Sequence, residues 1–259
     1  MRLDLEVARR SFRRHAAYRS ATAAGIFTNT VFGFIDAYVL LAVYRGRADI
    51  NGLTISGALT YAFLKQGSLM FIAVFVPLEL GERVRTGDVV TDLYRPVDLH
   101  RWWAADEVGR GSYHLLARGA PPVLLGALVF DLDLPSSGLR WVAFFLAVVL
   151  ALAVAYQLRF LVALSAFWFL DQRGTHNLNV MLTMLVSGML FPLQLLPTRL
   201  FGLTRLLPWA ALLHLPMEVY LGHGLLEPLL LQVLWLVVLV LVARTVLAAA
   251  TRKVVIQGG

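Results

Sequence analysis

Six times along its 259 residues this chain stays apolar for about the length a helix needs to cross a bilayer, at roughly 22–44, 57–77, 113–131, 139–163, 178–196 and 228–247. A hydrocarbon core about 30 Å thick takes about 20 such residues at a rise of about 1.5 Å each. This repetition predicts an all-α integral membrane protein, with residues 1–259 forming a single transmembrane domain. Composition agrees, since 59% of the chain is hydrophobic and 15% charged, outside the range of soluble domains. The absence of cysteine excludes disulfide scaffolds, thiol catalysis and cysteine metal sites. A net charge of +7 raises the question of nucleic acid, but the excess lies over ends and loops rather than on one basic face. No nucleic-acid partner is expected.

An even number of spans puts both termini on one side, and the positive-inside rule chooses it. With the N-terminus inside, fifteen Lys and Arg residues fall on the cytoplasmic side and five outside, leaving Lys65, Arg118 and Arg159 at membrane depth or its borders. The termini are therefore expected in the cytoplasm. In the N-terminal tail, Leu5, Ala8, Phe12 and Ala16 recur at helical spacing among arginines, which predicts an interfacial amphipathic helix over residues 1–20. A disordered basic tail is the alternative. A cleaved signal peptide is not expected, because the apolar run that follows is too long.

Two segments break the pattern. Between about 197 and 227 the chain remains apolar but is cut by Pro197, Pro208 and Pro216, with Pro192 just before and Pro228 just after. Proline ends or kinks helices, and irregular backbone at membrane depth needs protein cover or a wet cavity. Short external re-entrant helices forming a lid or gate are expected. The second break is the cytoplasmic loop 79–112. There Thr86 or Asp88 can cap a short helix with the apolar face Val89, Val90 and Leu93, and Pro96 stops it. Such a helix suits docking of another protein. It also fits a surface helix on the headgroups, with Trp102 and Trp103 as interface anchors.

The search for chemistry is mostly negative. The phosphate-cradling motif GxxxxGK[ST] is absent, since Lys65 and Lys253 are followed by Gln66 and Val254. His214 with Glu218, and His223 with Glu227, stand four apart. That spacing fits metal ligands, and equally capping or interfacial groups. Asp36 and Lys65 each lie eight residues from the outer end of their span, roughly 12 Å deep, and are expected to pair. Arg159 is expected to snorkel to the cytoplasmic border. Gly25, Asn29, Gly33 and Ala37 form a small or polar stripe on the first span, as do Asn179, Thr183 and Ser187 on the fifth. Each stripe fits either packing within the chain or a dimer interface or pathway lining.

The segments RTGDVVTDLYRPVD (85–98), AFWFLDQRG (166–174), SGMLFPLQLLP (187–197), LP (207–208), PMEVYLG (216–222) and the terminal RKVVIQGG resemble, in order and spacing, the membrane subunits of type 2 ABC exporters. The likeness is to bacterial drug-efflux permeases of the daunorubicin-resistance and viologen-exporter kind, and it covers nearly the whole chain. It implies a permease of the bacterial cytoplasmic membrane, moving a hydrophobic or amphipathic small molecule outward. Two permeases, identical or sister, would sit on two ATP-binding subunits. The chain itself would carry no cofactor, with ATP and Mg on the partner subunit. By position, Glu79, Glu82, Arg83, Gly87, Asp88, Leu93, Arg95 and Pro96 match the coupling segment that meets the ATPase. Ser187, Gly188, Pro192 and Pro197 match the end of the fifth span leading to the external gate. Lys65 departs from the uncharged residue expected there. The competing readings are a stand-alone membrane enzyme or secondary transporter, and a scaffold subunit.

Overall fold

In the computed structural model the backbone is described for residues 2–257 and side chains for 2–253. Met1 and the last two glycines of RKVVIQGG lie outside the described residues. Helix α1 (Arg2–Ala16) leads through a two-residue break into α2 (Arg19–Val43). A short antiparallel hairpin, β1 (Asp49–Ile50) and β2 (Leu53–Thr54), turns at Asn51-Gly52 and feeds α3 (Ile55–Ile72), whose cap is Thr54 accepting from the Gly57 N–H at 3.1 Å. Then come α4 (Glu79–Thr86), α5 (Val89–Leu93) and α6 (Leu99–His114). Helix α6 passes through a π turn (Leu115–Gly119) into α7 (Ala120–Val129). Helix α8 (Gly138–Leu164) is followed by α9 (Ala166–Phe169), α10 (Arg173–Val186), α11 (Thr198–Arg205), α12 (His214–Leu221) and α13 (Leu226–Gln257), with 3-10 turns at Leu193–Leu195 and Pro208–Leu212.

Three of these helices are long and apolar enough to cross a membrane: 19–43, 138–169 and 226–253. The first and last are 17% buried over their most apolar stretch and the middle one 67%, so α8 is the axis about which the bundle packs. The main core cluster joins α8 to α3, α12 and the 208–212 turn through Tyr61, Phe144, Leu215 and Tyr220. A second joins its far end to α4, α5, α6 and α13 through Leu80, Val89, Trp103 and Phe160. Contacts gather the chain into two ends. Arg244 meets Asp98 at one. At the other, Asn51 Nδ2 donates to the Gln194 carbonyl at 2.8 Å and Ser56 Oγ to Asp133 Oδ2 at 3.2 Å.

Several boundaries depart from those expected. The second apolar run stops being helical at Ile72, five residues early, where Ala73 turns left-handed at φ 52°. Residues 99–112, expected as loop, are the first turns of the helix that continues into the third run. The fourth run continues past Arg159 into α9, and the apolar residues beyond it line the second core cluster. The fifth differs most, since α10 begins at Arg173 and ends at Val186, ten residues before its expected end. Gly188, at φ 86°, turns the chain there, and Pro192 prevents a restart. The tail is helical over 2–16, but its inner face is rotated from the one expected. Val7 and Ser11 are buried and Leu5 is exposed. Helix α1 crosses α6 so closely that a Cβ on Gly109 would lie 2.0 Å from the Ala8 carbonyl oxygen.

Candidate functional site

Residues 79–96 form a strap at one end of the bundle. Gly87, left-handed at φ 85°, closes α4 and lets α5 fold back beside it. Arg83 fastens the two, donating from Nε to Asp92 Oδ2 at 2.5 Å, from Nη2 to Oδ1 at 3.0 Å, and to the Asp88 carbonyl and Thr91 Oγ1, each at 3.3 Å. The hydrogen bonds to Asp92 raise the Arg83 pKa above its ordinary value. Arg95 adds a second contact to Asp92 at 3.3 Å, and Arg85 pairs with Glu82. Neither Thr86 nor Asp88 caps α5; their side chains bond each other at 2.8 Å. The expected apolar face is divided. Val89 points into the core and Leu93 is half-buried against it, whereas Val90 is exposed. Tyr94, four residues on from Val90, is 84% exposed. Glu82, Asp88, Arg95 and Pro96 are exposed with them, and Glu79 faces Arg14 of α1 at 3.7 Å. Sequence reasoning missed Tyr94, although its spacing from Val90 was visible. Trp103 is core rather than interface anchor, and Trp102 is half-buried beneath the Arg95 guanidinium, 5.3 Å from its ring.

Behind the strap lies a charged cluster that sequence reasoning also missed. Glu107 on α6 receives Arg110 from its own helix, with Nε to Oε2 at 3.0 Å, and Arg159 from α8, with Nη1 to Oε1 at 2.5 Å. All three are buried. Arg159 therefore does not snorkel; it turns inward because a buried acid waits one helix away. The second positive charge is spread over backbone oxygens. Arg110 donates to the Met70 carbonyl at 2.7 Å and the Phe71 carbonyl at 2.6 Å, and Arg159 to that of Val76 at 3.1 Å. The carbonyls of Met70 and Phe71 are freed where α3 ends, the negative pole of that helix, and that of Val76 lies in the segment that follows. One link thus holds the end of α3 and the segment leading into the strap to α6 and α8.

Asp36 and Lys65 meet on α2 and α3, Oδ2 to Nζ at 2.7 Å, with side chains 26% and 3% exposed. Gln66 Nε2 donates to the same carboxylate oxygen at 2.9 Å. Desolvating a lone ammonium at that depth is costly, and the pair offsets it.

Residues 30–258 match the model of a family described as ABC-2 family transporter protein. The chain belongs to the ABC-2 transporter family. It is accordingly a permease subunit of an ABC transporter, a membrane transport component that associates with an ABC ATP-binding subunit. Comparison with the curated proteins returns no match.

The two stripes of this ABC-2 permease face its own interior. Asn29 Nδ2 reaches the Gln66 carbonyl at 3.5 Å, a Cβ on Gly33 would meet Phe63 at 3.0 Å, and Gly25 lies against Arg118. Asn179, Thr183 and Ser187 are buried, with Asn179 Oδ1 accepting from Trp209 Nε1 at 3.0 Å. The exposed faces lie opposite, with Phe27, Val31, Ile35 and Tyr38 on α2 and Leu178, Met181 and Leu185 on α10. In the proline-broken segment Pro192, Pro208 and Pro216 are buried and Pro197 is exposed. Tyr61 from α3 donates to the Gly188 carbonyl at 2.9 Å, and the His214 N–H to that of Ser187 at 3.1 Å. Gln232 on α13 donates to the carbonyls of Ala147 and Ala211 at 3.0 and 2.9 Å. Arg205 lies 2.9 Å from Glu218 and 2.7 Å from Glu227, while His214 Nε2 lies 3.2 Å from Glu218. Glu218 and Glu227 thus share an arginine. Among the described residues no group of three His, Cys, Asp or Glu side chains is arranged to hold a metal.

Proposed function

We propose that this permease is the lipid-embedded half of an exporter that moves a hydrophobic or amphipathic small molecule, drug-like or lipid, out of a bacterial cell. In this reading the chain crosses the cytoplasmic membrane six times with both termini inside. Two permeases, identical or sister, sit on two ATP-binding subunits that hold ATP and Mg. The strap 79–96 is the coupling segment, and residues 187–227 close the outer end. Outward direction rests on the resemblance of the strap and of SGMLFPLQLLP to those of exporters.

The observation that carries the reading is the strap's construction. Its outer face, Asp88, Val90, Tyr94 and Arg95, is exposed, while its inner face and the Arg83–Asp92 clasp make it one rigid piece. A push on it reaches α3, α6 and α8 through the backbone at Val76 and the Glu107 cluster. Purification with an ATP-binding subunit tests this. ATPase activity that requires the permease, and that loses its link to efflux in Asp88→Lys while membrane insertion is retained, supports the assignment. Full transport by the chain alone in liposomes overturns it.

A further inference from the structure

Among the described residues Arg118 meets no acid. It sits in the π turn between α6 and α7, and its Nε is fully buried with no hydrogen-bond partner. The guanidinium lies flat on α2 where Gly25 has no side chain; a Cβ there would come within 1.6 Å of Nη2. The carboxylates of α2 and α6 are committed elsewhere: Asp106 to Arg14, Glu107 to Arg110 and Arg159, Asp36 to Lys65. One turn before Arg118, His114 also has a buried and unpartnered Nδ1, and its ring stands 5.2 Å from that of His15 on α1. Three basic side chains, from α1, α6 and the π turn that continues α6, therefore line one junction.

The position selects the ligand. Gly25 is the seventh residue of α2, roughly 9 Å from its start, within reach of the headgroup layer for a long side chain. The surroundings are apolar and open, with Phe27 72%, Leu116 66% and Leu124 64% exposed. A guanidinium binds phosphate through parallel N–H donors. Cationic groups at membrane depth are kept where a counter-charge is supplied, and basic pockets between helices on the cytoplasmic side take anionic headgroups. π turns recur at functional sites.

We propose that Arg118, with His114 and His15, forms a binding site for the phosphate of an anionic phospholipid, whose chains lie along the exposed apolar faces of α2 and α7. The site is distinct from the strap and rests on the reading above only in placing the start of α2 at the cytoplasmic face.

The test uses the full chain purified in a neutral detergent and unfolded by heat. Short-chain phosphatidylglycerol is expected to raise the midpoint by roughly 3 °C at saturation. Phosphatidylcholine and inorganic phosphate are each expected to give less than a third of that rise. Arg118→Gln should abolish it. Gly25→Ala, which displaces the guanidinium while improving helix propensity, should abolish it too and serves if the first variant does not fold. Arg9→Gln on α1 should keep it. An equal rise with phosphatidylcholine removes the requirement for an anion, and an equal rise with inorganic phosphate removes the lipid. A full rise in both Arg118→Gln and Gly25→Ala removes the site.

Discussion

Arg159 and Glu107 stand on different helices, 52 residues apart in sequence, with Nη1 and Oε1 2.5 Å apart and side chains 5% and 2% exposed. Breaking a buried pair by removing one partner costs about 3–5 kcal/mol, because the other charge stays behind. Glu107→Gln leaves two buried guanidiniums facing each other and should lower the thermal midpoint in detergent by many degrees. Adding Arg159→Gln should recover part of the loss, so that the double variant is more stable than the two single costs added together. A midpoint unchanged in Glu107→Gln would mean that the cluster is not the link between α3, α6 and α8.

The membrane class was legible in the sequence because apolar length is a one-dimensional signal. Arg159 shows where legibility ended. Its depth could be counted, but its direction depends on a partner from another helix, and Glu107 read as loop because α6 is too polar to look like part of a span. Asp36 and Lys65 were readable because they lie at equal depth on consecutive antiparallel helices. The end of α10 was harder, since SGMLFPLQLLP is as apolar as a span and only Gly188 and Pro192 mark the turn. Which way the stripes face was not readable at all, because small residues pack as well on the chain's own helices as on another copy.

Lys65 is buried more deeply than Asp36, and this makes the pair asymmetric. Asp36→Asn strands the ammonium and should destabilise by about 3 kcal/mol, whereas Lys65→Met replaces it with an apolar chain and leaves a less buried carboxylate that keeps its hydrogen bond from Gln66. Lys65→Met is therefore the milder change, and combined with Asp36→Asn it should return close to wild type. Equilibrium unfolding of the four proteins checks the order. A Lys65→Met variant less stable than Asp36→Asn would contradict it.

With the strap as the proposed coupling segment, the division of Val89 from Val90 separates folding from partner contact. Val89→Asp buries a carboxylate in the second core cluster and should cost about 3 kcal/mol or more. Val90→Asp and Tyr94→Ala alter only exposed positions and should leave the unfolding midpoint nearly unchanged, within about 0.5 kcal/mol. Binding of the ATP-binding subunit, measured by pull-down, should fall at least tenfold in both. If Val90→Asp binds normally, the contact surface lies elsewhere on the strap.

Docking of α1 carries a pH signature. Arg101 donates to Asp4 across the α1–α6 crossing and holds its carboxyl down at about 2, against an ordinary value of 3.8. A depressed carboxylate stabilises the docked state at pH above the unfolded value and loses that contribution as pH falls through the folded one. A fluorophore on α1 should therefore report constant docking from pH 8 to about 4, then release towards pH 2. Asp4→Asn should reduce the acid transition, with Arg14 still joined to Asp106 and Glu79. Release centred near pH 6 would implicate a histidine instead.

Gly188 and Tyr61 make a two-part joint between the end of α10 and α3. The glycine holds φ at 86°, and a Cβ there would come within 1.9 Å of the phenol oxygen that donates to its own carbonyl. Tyr61→Phe loses that hydrogen bond, at about 1 kcal/mol. Gly188→Ala meets both a left-handed backbone penalty of about 1–2 kcal/mol and a steric clash with the buried phenol. In the Tyr61→Phe background the clash is largely gone, so the same alanine should cost only the backbone part. Unfolding midpoints of the four proteins measure this coupling directly. Simple additivity would mean that the phenol moves aside at little cost. The hydrogen bond would then not be what holds residues 187–197 against α3, and a cysteine introduced into that segment, which has none of its own, should react with a water-soluble thiol reagent no faster in the Tyr61→Phe background than beside Tyr61.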